Sequence, residues 1–126
     1  MNKLVKLFIT SISAITLALV SFTSSFAKVE GDYIVLGSAI SLTGKYSSNG
    51  VHTQNGYNMA VDRINKMGGV EVQGKKYKFE IIYYDDESNP KRAAQLAERL
   101  IKQDGVHYML GPYSSGLTKA IAPVTE

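Results

Sequence analysis

The sequence predicts an α/β domain with a doubly wound parallel sheet of the Rossmann-like kind. In three successive stretches, a short apolar run of β-forming residues is followed by a turn rich in Gly, Ser or Asn, and then by apolar residues at helical spacing. Strands and helices that alternate with short connections are typical of parallel strands with helices on the faces of the sheet. With 126 residues, of which 44% are hydrophobic, the chain can form one small domain but not two.

The first unit begins with residues 33–40, a nearly continuous apolar run that suits a strand buried on both faces. A polar loop is expected over residues 41–50 and a helix over residues 51–67, which Gly68 and Gly69 end. The apolar residues of this helix recur at i, i+3, i+4 and i+7, which places them on one side. They are Tyr57, Ala60, Val61 and Ile64.

The second unit contains a strand over residues 77–84, which follows a polar connection over residues 70–76. Residues 85–90 form the next turn, in which Asn89 is the predicted helix N-cap and Pro90 the first helical residue. The buried stripe of this helix comprises Ala93, Leu96, Ala97, Leu100 and Ile101.

The third unit has a strand over residues 106–110, a turn over residues 111–116 and a helix from Leu117 that Pro123 is expected to interrupt. Three parallel strands leave two open sheet edges and one thinly covered face, so we expect further strands. The chain is therefore interpreted as the truncated N-terminal part of a longer protein.

Residues 1–27 have the pattern of a secretory signal peptide rather than of the fold. A basic head with Lys3 and Lys6 precedes the uncharged, mostly apolar residues 7–20, and the segment ends in Ser-Phe-Ala at Ala27. A membrane anchor is the alternative, but a spanning helix needs about 20 apolar residues. We expect cleavage after Ala27 and export of residues 28–126.

Charge and cysteine content exclude several classes of protein. Without Lys3 and Lys6, residues 28–126 hold 12 basic and 11 acidic residues, a net charge of +1 that gives no reason to expect nucleic-acid binding. The absence of cysteine excludes disulfide scaffolds, thiolate metal sites, cysteine nucleophiles and lipidation at cysteine.

The predicted topology nominates a binding site before any motif is considered. We expect the first strand in the middle of the sheet, the second on one side of it and the third on the other. Ligands of such sheets bind beyond the carboxyl ends of the strands, where the chain reverses its direction of travel. This places residues 41–50 beside residues 111–118, with Asp85 and Asp86 further out.

Residues 111–118 resemble two catalytic motifs without matching either. The phosphate-loop pattern fails because Leu117 stands where that loop has its lysine. The nucleophile elbow fails because neither Ser114 nor Ser115 has glycines two positions away on both sides. A secreted α/β hydrolase with Ser115 as nucleophile stays as an alternative, but no catalytic residue, metal site or cofactor is predicted.

The same segment supplies hydroxyls and free amides at a helix N-terminus, which favour the carboxylate of a small solute. Ser115 is predicted to contact the ligand, with helix capping as its alternative, whereas Ser114 is predicted to cap the helix, with ligand contact as its alternative. Tyr113 either forms a wall of the pocket or packs against its rim. In the first loop, Ser48 and Asn49 either orient the polar end of the ligand or solvate a turn.

Four segments, in order after a signal peptide, carry a resemblance to a known family. They are residues 41–44 with Gly50, residues 64–69, residues 84–86 with Asn89 and Pro90, and residues 110–115 with Thr118. Residues 33–126 resemble the N-terminal lobe of the periplasmic proteins that bind leucine, isoleucine and valine, the receptor subunits of ABC transporters with the type 1 periplasmic binding fold.

The resemblance implies a periplasmic receptor, not an enzyme, whose two lobes close on an amino acid or a similar amide or carboxylate before an ABC permease recognises the closed form. It implies that Ser115 holds the α-carboxylate of the ligand and that further contacts come from beyond Glu126. Asn49 stands where leucine receptors of this family place a tyrosine, which leaves the choice of ligand open. The sensing lobe of a signalling receptor is an alternative with the same fold.

Overall fold

The computed structural model describes residues 29–126, so the predicted signal peptide lies outside the described part of the chain. Among the described helices, none is both long and apolar enough to cross a lipid bilayer. In chain order, the elements are β1 (Val29–Glu30), β2 (Tyr33–Ile40), α1 (Ser47–Lys66), β3 (Val70–Val72), β4 (Lys75–Asp85), α2 (Pro90–Lys102), β5 (Tyr108–Met109) and α3 (Ser115–Thr125).

Strand β2 lies at the centre of the sheet. It pairs in parallel with β4 along its whole length, up to Ile40 opposite Asp85, and with β5 through Leu36 opposite Tyr108. The predicted strand order and the reversal of the chain between β2 and β5 are therefore confirmed. β1 adds an antiparallel pair at the start of β2, a strand that the sequence pattern did not indicate.

Helices α2 and α3 cover one face of the sheet and form the core with it. Val35 and Ala39 of β2, together with Leu100 of α2, have at most 1% of their surface exposed. Burial of one such leucine stabilises the fold by about 1.5–3 kcal/mol. Leu117 and Ile121 of α3 pack with Ala39 of β2 and with Ala93 and Ala97 of α2, so the helix that carries Ser115 is anchored by its own apolar side. The other face carries α1, which packs mainly over β4.

The predicted polar connection over residues 70–76 is wrong, because β3 and the start of β4 form a β-hairpin there. Its turn residues, Gln73 and Gly74, have φ of 53° and 79°, as a two-residue turn with the strand-matched twist requires. The three-residue strand carries Glu71 between two valines, a signal too short to separate from a loop.

Two helix boundaries also differ from the prediction. α1 begins at Ser47 rather than Val51, so the loop after β2 covers residues 41–46 only. α3 begins at Ser115 rather than Leu117 and continues through Pro123 to Thr125. Pro123 lies in the last turns of α3, where loss of one backbone hydrogen bond does not end the helix.

Candidate ligand-binding site

Three loops meet at the carboxyl edge of the sheet, and Asp85 at the end of β4 joins two of them. Its Oδ1 accepts hydrogen bonds from the amides of Leu42 and Thr43 at 2.9 and 3.1 Å, and from the amide of Glu87 at 2.9 Å. The Thr43 hydroxyl donates to Oδ2 at 2.7 Å. One carboxylate thus holds the loop after β2 against the turn after β4.

A buried neighbour, Asp86, makes the same connection one residue later. The Ser41 hydroxyl and the Ser88 amide both donate to its Oδ1, at 2.6 and 2.8 Å. Ser88 in turn donates its hydroxyl to the Thr43 carbonyl at 2.8 Å and accepts from the Tyr46 amide at 3.0 Å. Asp85 and Asp86 lie on the β4 side of the first loop, and their turn is bonded directly to it because β4 is the immediate neighbour of β2.

Tyrosine side chains connect the first loop to the loop after β5. The rings of Tyr46 and Tyr113 have centroids 6.3 Å apart and are tilted by 56°. Tyr57 of α1 donates its hydroxyl to the Gly111 carbonyl at 2.8 Å. The predicted proximity of residues 41–50 and 111–118 is confirmed, and it rests on these aromatic contacts.

The N-terminus of α3 leaves its first amides open. Ser114 occupies the N-cap position, as predicted, but its side chain makes no capping hydrogen bond. The first helical bond runs from the Thr118 amide to the Ser114 carbonyl at 2.9 Å, so the amides of Ser115, Gly116 and Leu117 precede the ladder. The side chain of Ser115 is exposed, and it stands beside these amides.

The N-terminus of helix α2 differs from that of α3, because an N-cap side chain and a proline account for two of its first backbone positions. Asn89 accepts a hydrogen bond from the Arg92 amide at 3.1 Å, and Pro90 at the first position has no amide hydrogen to offer. Both features confirm the sequence prediction for this helix. Of these two helices, α3 leaves more of its first amides without an acceptor, three against the single amide of Lys91 in α2.

Ser48 and Asn49 lie in the first turn of α1 rather than in the predicted loop, and both are exposed. Tyr113 is also exposed, with 54% of its surface accessible, and its ring lies next to that of Tyr46. The structure therefore brings the candidate residues to one edge of the sheet, on two helix N-termini and the loop between β5 and α3.

Electrostatic effects support a charged Asp85 at this edge. Burial acts to raise the pKa of its carboxyl, but the hydrogen bonds from Glu87, Thr43 and Leu42 outweigh burial and hold the pKa below its usual value. The Tyr46 hydroxyl has a lowered pKa because Lys45 and Ser114 act as hydrogen-bond partners and the Lys45 charge is close. Tyr46 was not among the residues proposed from the sequence, and its position after a glycine-containing turn gave no signal.

The turn after β4 carries the adjacent carboxylates of Asp85 and Asp86. Within residues 29–126, no group of three His, Cys, Asp or Glu side chains is arranged to hold a metal ion. Both oxygens of Asp85 already accept hydrogen bonds from protein donors. Asp85 therefore holds the two loops together.

Comparison with known proteins identifies the family. The sequence profile described as periplasmic binding protein matches residues 34–126, which is most of the chain. The chain belongs to the periplasmic binding protein family. The family members compared below are solute-binding proteins, and the type 1 fold of this family agrees with the parallel sheet and helix arrangement found here.

Two curated relatives illustrate the similarity. The Leu/Ile/Val-binding protein BraC3 of Rhizobium johnstonii is 33% identical over 79% of this chain and 26% of its own length. An amino acid binding protein of Pseudomonas aeruginosa is also 33% identical, over 90% of this chain and 28% of its own length. The chain thus spans about a quarter of the length of these relatives.

Solved structures agree with the sequence relatives. The branched-chain amino acid transporter substrate binding protein LivJ from Streptococcus pneumoniae, in complex with isoleucine, has a TM-score of 0.64 and 31% identity; the match covers 71% of this chain and 25% of that one. A periplasmic binding protein type 1 from Bordetella pertussis has a TM-score of 0.61 and 30% identity, over 73% and 24% of the two chains.

Proposed function

We propose that residues 28–126 form part of the first lobe of an exported receptor that captures a branched-chain amino acid, or a similar small amide or carboxylate, for an ABC importer. The observation that carries this proposal is the open N-terminus of α3, where exposed Ser115 stands beside uncapped amides. Relatives named for binding leucine, isoleucine and valine support the choice of ligand class.

In this proposal the carboxylate of the ligand sits at the N-terminus of α3. The Ser115 hydroxyl and the free amides donate hydrogen bonds to it, and the positive end of the helix dipole stabilises its charge. No lysine is required at this position. Such charge-assisted bonds are stronger than bonds between neutral groups, so they can supply much of the affinity of a small ligand.

The remaining candidate residues have supporting roles in the same proposal. Tyr113 provides an aromatic wall, and Ser48 and Asn49 contact the ligand from the first turn of α1. An asparagine at position 49, where a tyrosine is expected from the resemblance, presents an amide instead of a ring to the ligand. This difference leaves the side chain of the ligand open within the proposed class.

The receptor works by closure rather than by chemistry. The first lobe captures the solute, and a second lobe closes over it because the ligand contacts both lobes in the closed form. A membrane permease then recognises the closed form, and the solute is released for import. Export to the periplasm by residues 1–27 belongs to the same proposal.

Calorimetry on a longer protein that contains these residues tests the carboxylate contact. Leucine, isoleucine and valine should bind, whereas leucinamide and isoamylamine, which lack the carboxylate, should not. Ser115→Ala should weaken binding about 10- to 100-fold, because a hydrogen bond to a charged group is worth about 1.5–3 kcal/mol. Thr125→Val, which removes a hydroxyl at the other end of α3, is the matched control and should leave affinity unchanged. Unaltered leucine affinity in Ser115→Ala would refute the proposed contact.

Two alternatives have distinct signatures. A hydrolase with Ser115 as nucleophile would react with a fluorophosphonate probe at that serine, and a transport receptor would not. A sensing lobe of a signalling receptor would be followed in the longer protein by a transmembrane helix and a cytoplasmic domain instead of a soluble second lobe.

A further inference from the structure

The first residue of α3 has the backbone of a capping residue but not its side-chain bond. Ser114 has φ of −90° and ψ of 132°, the extended conformation that N-cap residues adopt. Its carbonyl accepts hydrogen bonds from the amide and the hydroxyl of Thr118 at 2.9 and 3.1 Å, so its backbone is already fixed at the start of the helix. A serine at this position ordinarily accepts a bond from the amide two or three residues later, here Gly116 or Leu117. The side chain of Ser114 makes no such bond, which requires a cause.

The Ser114 hydroxyl has another partner in the loop after β2. Lys45 first and Ser114 second are hydrogen-bond partners of the Tyr46 phenol, and both lower its pKa. A hydrogen bond that lowers the pKa of a phenol favours the charged oxygen, so Ser114 donates its hydroxyl hydrogen and the oxygen of Tyr46 accepts it. The side chain that could cap α3 is therefore used to join α3 to the first loop.

The backbone of Tyr46 is held by bonds that do not involve α3. Its amide donates to the hydroxyl oxygen of Ser88 at 3.0 Å, and its carbonyl accepts from the amide of Gly50 at 2.8 Å. Ser88 is itself fixed, because its amide donates to the fully buried carboxylate of Asp86 at 2.8 Å. Tyr46 is thus a fixed point, and the Ser114 side chain turns toward it.

The ring of Tyr46 makes contacts that are separate from those of its hydroxyl. It packs against the core cluster that contains Leu117 and Ile121 of α3, and its centroid lies 6.3 Å from that of Tyr113. Phenylalanine at position 46 would keep these apolar contacts and lose only the phenol oxygen. The role of the hydroxyl can therefore be measured without removing the ring.

We propose that Tyr46 is a positioning residue, which keeps the Ser114 hydroxyl away from the first amides of α3 and leaves these amides available to a ligand. The effect on the amides stands on the geometry of the loop alone, whereas its use in ligand binding rests on the proposed function. A serine cap and a carboxylate compete for the same amide hydrogens, because each backbone amide supplies one donor. Since Tyr46 engages Ser114, the ligand binds without first displacing a cap.

Hydrogen exchange of single amides in the 126-residue chain tests the effect on the helix. In Tyr46→Phe the Ser114 hydroxyl loses its acceptor and should turn to the amide of Gly116 or Leu117. NMR should then show exchange about 5-fold slower at one of these two amides, which is the size of effect that a typical serine cap supplies. The double variant Tyr46→Phe/Ser114→Ala has no hydroxyl to form the cap, so its exchange rates should equal those of the parent.

Tyr108→Phe is the matched control for the exchange measurement. Tyr108 lies on β5 with 55% of its surface exposed, so the substitution removes a phenol hydroxyl outside the loop that carries Tyr46. The exchange rates of Gly116 and Leu117 should not change in this variant. Circular dichroism of every variant verifies folding.

Calorimetry with leucine, on a longer protein that contains these residues, tests the effect on binding. Tyr46→Phe should weaken binding about 5-fold, because the ligand must displace the new cap. Tyr46→Phe/Ser114→Ala should restore the parent affinity, a recovery that a general loss of packing would not show. If the parent bound no leucine, the proposed function would fail, and the exchange rates would still decide the role of Tyr46.

Three results would overturn the proposal. Unchanged exchange of Gly116 and Leu117 in Tyr46→Phe would mean that the Ser114 hydroxyl does not turn to the helix when it is released. Slower exchange that persisted in the double variant would assign the protection to a group other than Ser114. Leucine affinity that fell in Tyr46→Phe and stayed low in the double variant would mean that one of these hydroxyls contacts the ligand itself.

Discussion

Gly50 of α1 packs directly against the backbone of Ser41, since a Cβ atom at position 50 would lie 1.8 Å from the Ser41 carbonyl oxygen. Gly50 is also the only buried residue of α1. The first turn of this helix therefore rests on the end of β2, and the contact holds Ser48 and Asn49 at the edge of the sheet. A side chain of any size at position 50 must displace this turn.

Gly50→Ala should destabilise the protein by about 3 kcal/mol or more, because the clash involves backbone atoms that cannot rotate away. Gly56→Ala is the matched control on the same helix, since a Cβ there meets nothing within 4 Å. That variant should gain about 0.5–1 kcal/mol, as alanine is the better helix former. Urea unfolding of both variants measures the free energies, and equal effects at the two positions would contradict the packing of α1 on β2.

The Asp85 network predicts a loss of stability in acid. Because the folded state holds the pKa of Asp85 below its unfolded value of about 3.9, the carboxylate stabilises the fold above that value, and the contribution is lost as pH falls through the lower folded pKa. Asp85→Asn should lower stability by about 1–3 kcal/mol at pH 7 and flatten its decline between about pH 5 and pH 2. Thermal unfolding as a function of pH measures this.

Glu80→Gln is the control for the acid prediction, because Glu80 lies exposed on β4, outside the Asp85 network. Its pH profile should follow that of the parent protein. A profile for Asp85→Asn that also matched the parent would show that the hydrogen bonds from Leu42 and Thr43 add nothing to stability.

The phenol of Tyr46 should titrate at lower pH than an ordinary tyrosine. Its pKa is lowered by hydrogen bonding to Lys45 first and to Ser114 second, together with the positive charge of Lys45. The difference between the ultraviolet titrations of the parent and Tyr46→Phe isolates this group. Lys45→Gln should move the midpoint of the Tyr46 titration back toward about pH 10. Lys119→Gln is the control: it removes a positive charge from an exposed position of α3 and should leave the midpoint unchanged.

The arrangement of the sheet followed from the sequence because its determinants are local. Apolar runs at 33–40 and 77–84, the Asn89 cap with Pro90 and the stripe of α2 each depend on near neighbours, and the topology rules then fix the strand order. The hairpin of β3 did not follow, since its three residues are stabilised by pairing with β4 rather than by their own pattern.

The position of the candidate site could be predicted from the sequence, but the hydrogen bonds that hold its loops could not. Topology placed residues 41–50 beside 111–118, but the bonds that fix the first loop come from the turn after β4 and join residues 42 to 45 positions apart in the chain, such as Ser41 to Asp86. The start of α1 at Ser47 was hidden for the same reason. Residues 47–50 are polar or glycine, a composition that predicts a loop. The close contact of Gly50 with Ser41 explains why a glycine is needed in the first turn of this helix.

If the proposed function holds, residues 28–126 alone should bind leucine with a Kd above about 1 mM, and a longer protein that contains them should bind it tightly. One lobe offers only the contacts of Ser115 and its neighbours, and water stays at the exposed face, so the charge-assisted bonds remain weak. Calorimetry of residues 28–126 and of the longer protein under one buffer measures the difference, with circular dichroism of the same samples to verify folding. Micromolar affinity in the shorter protein would show that capture is complete on one lobe and that closure adds nothing to binding.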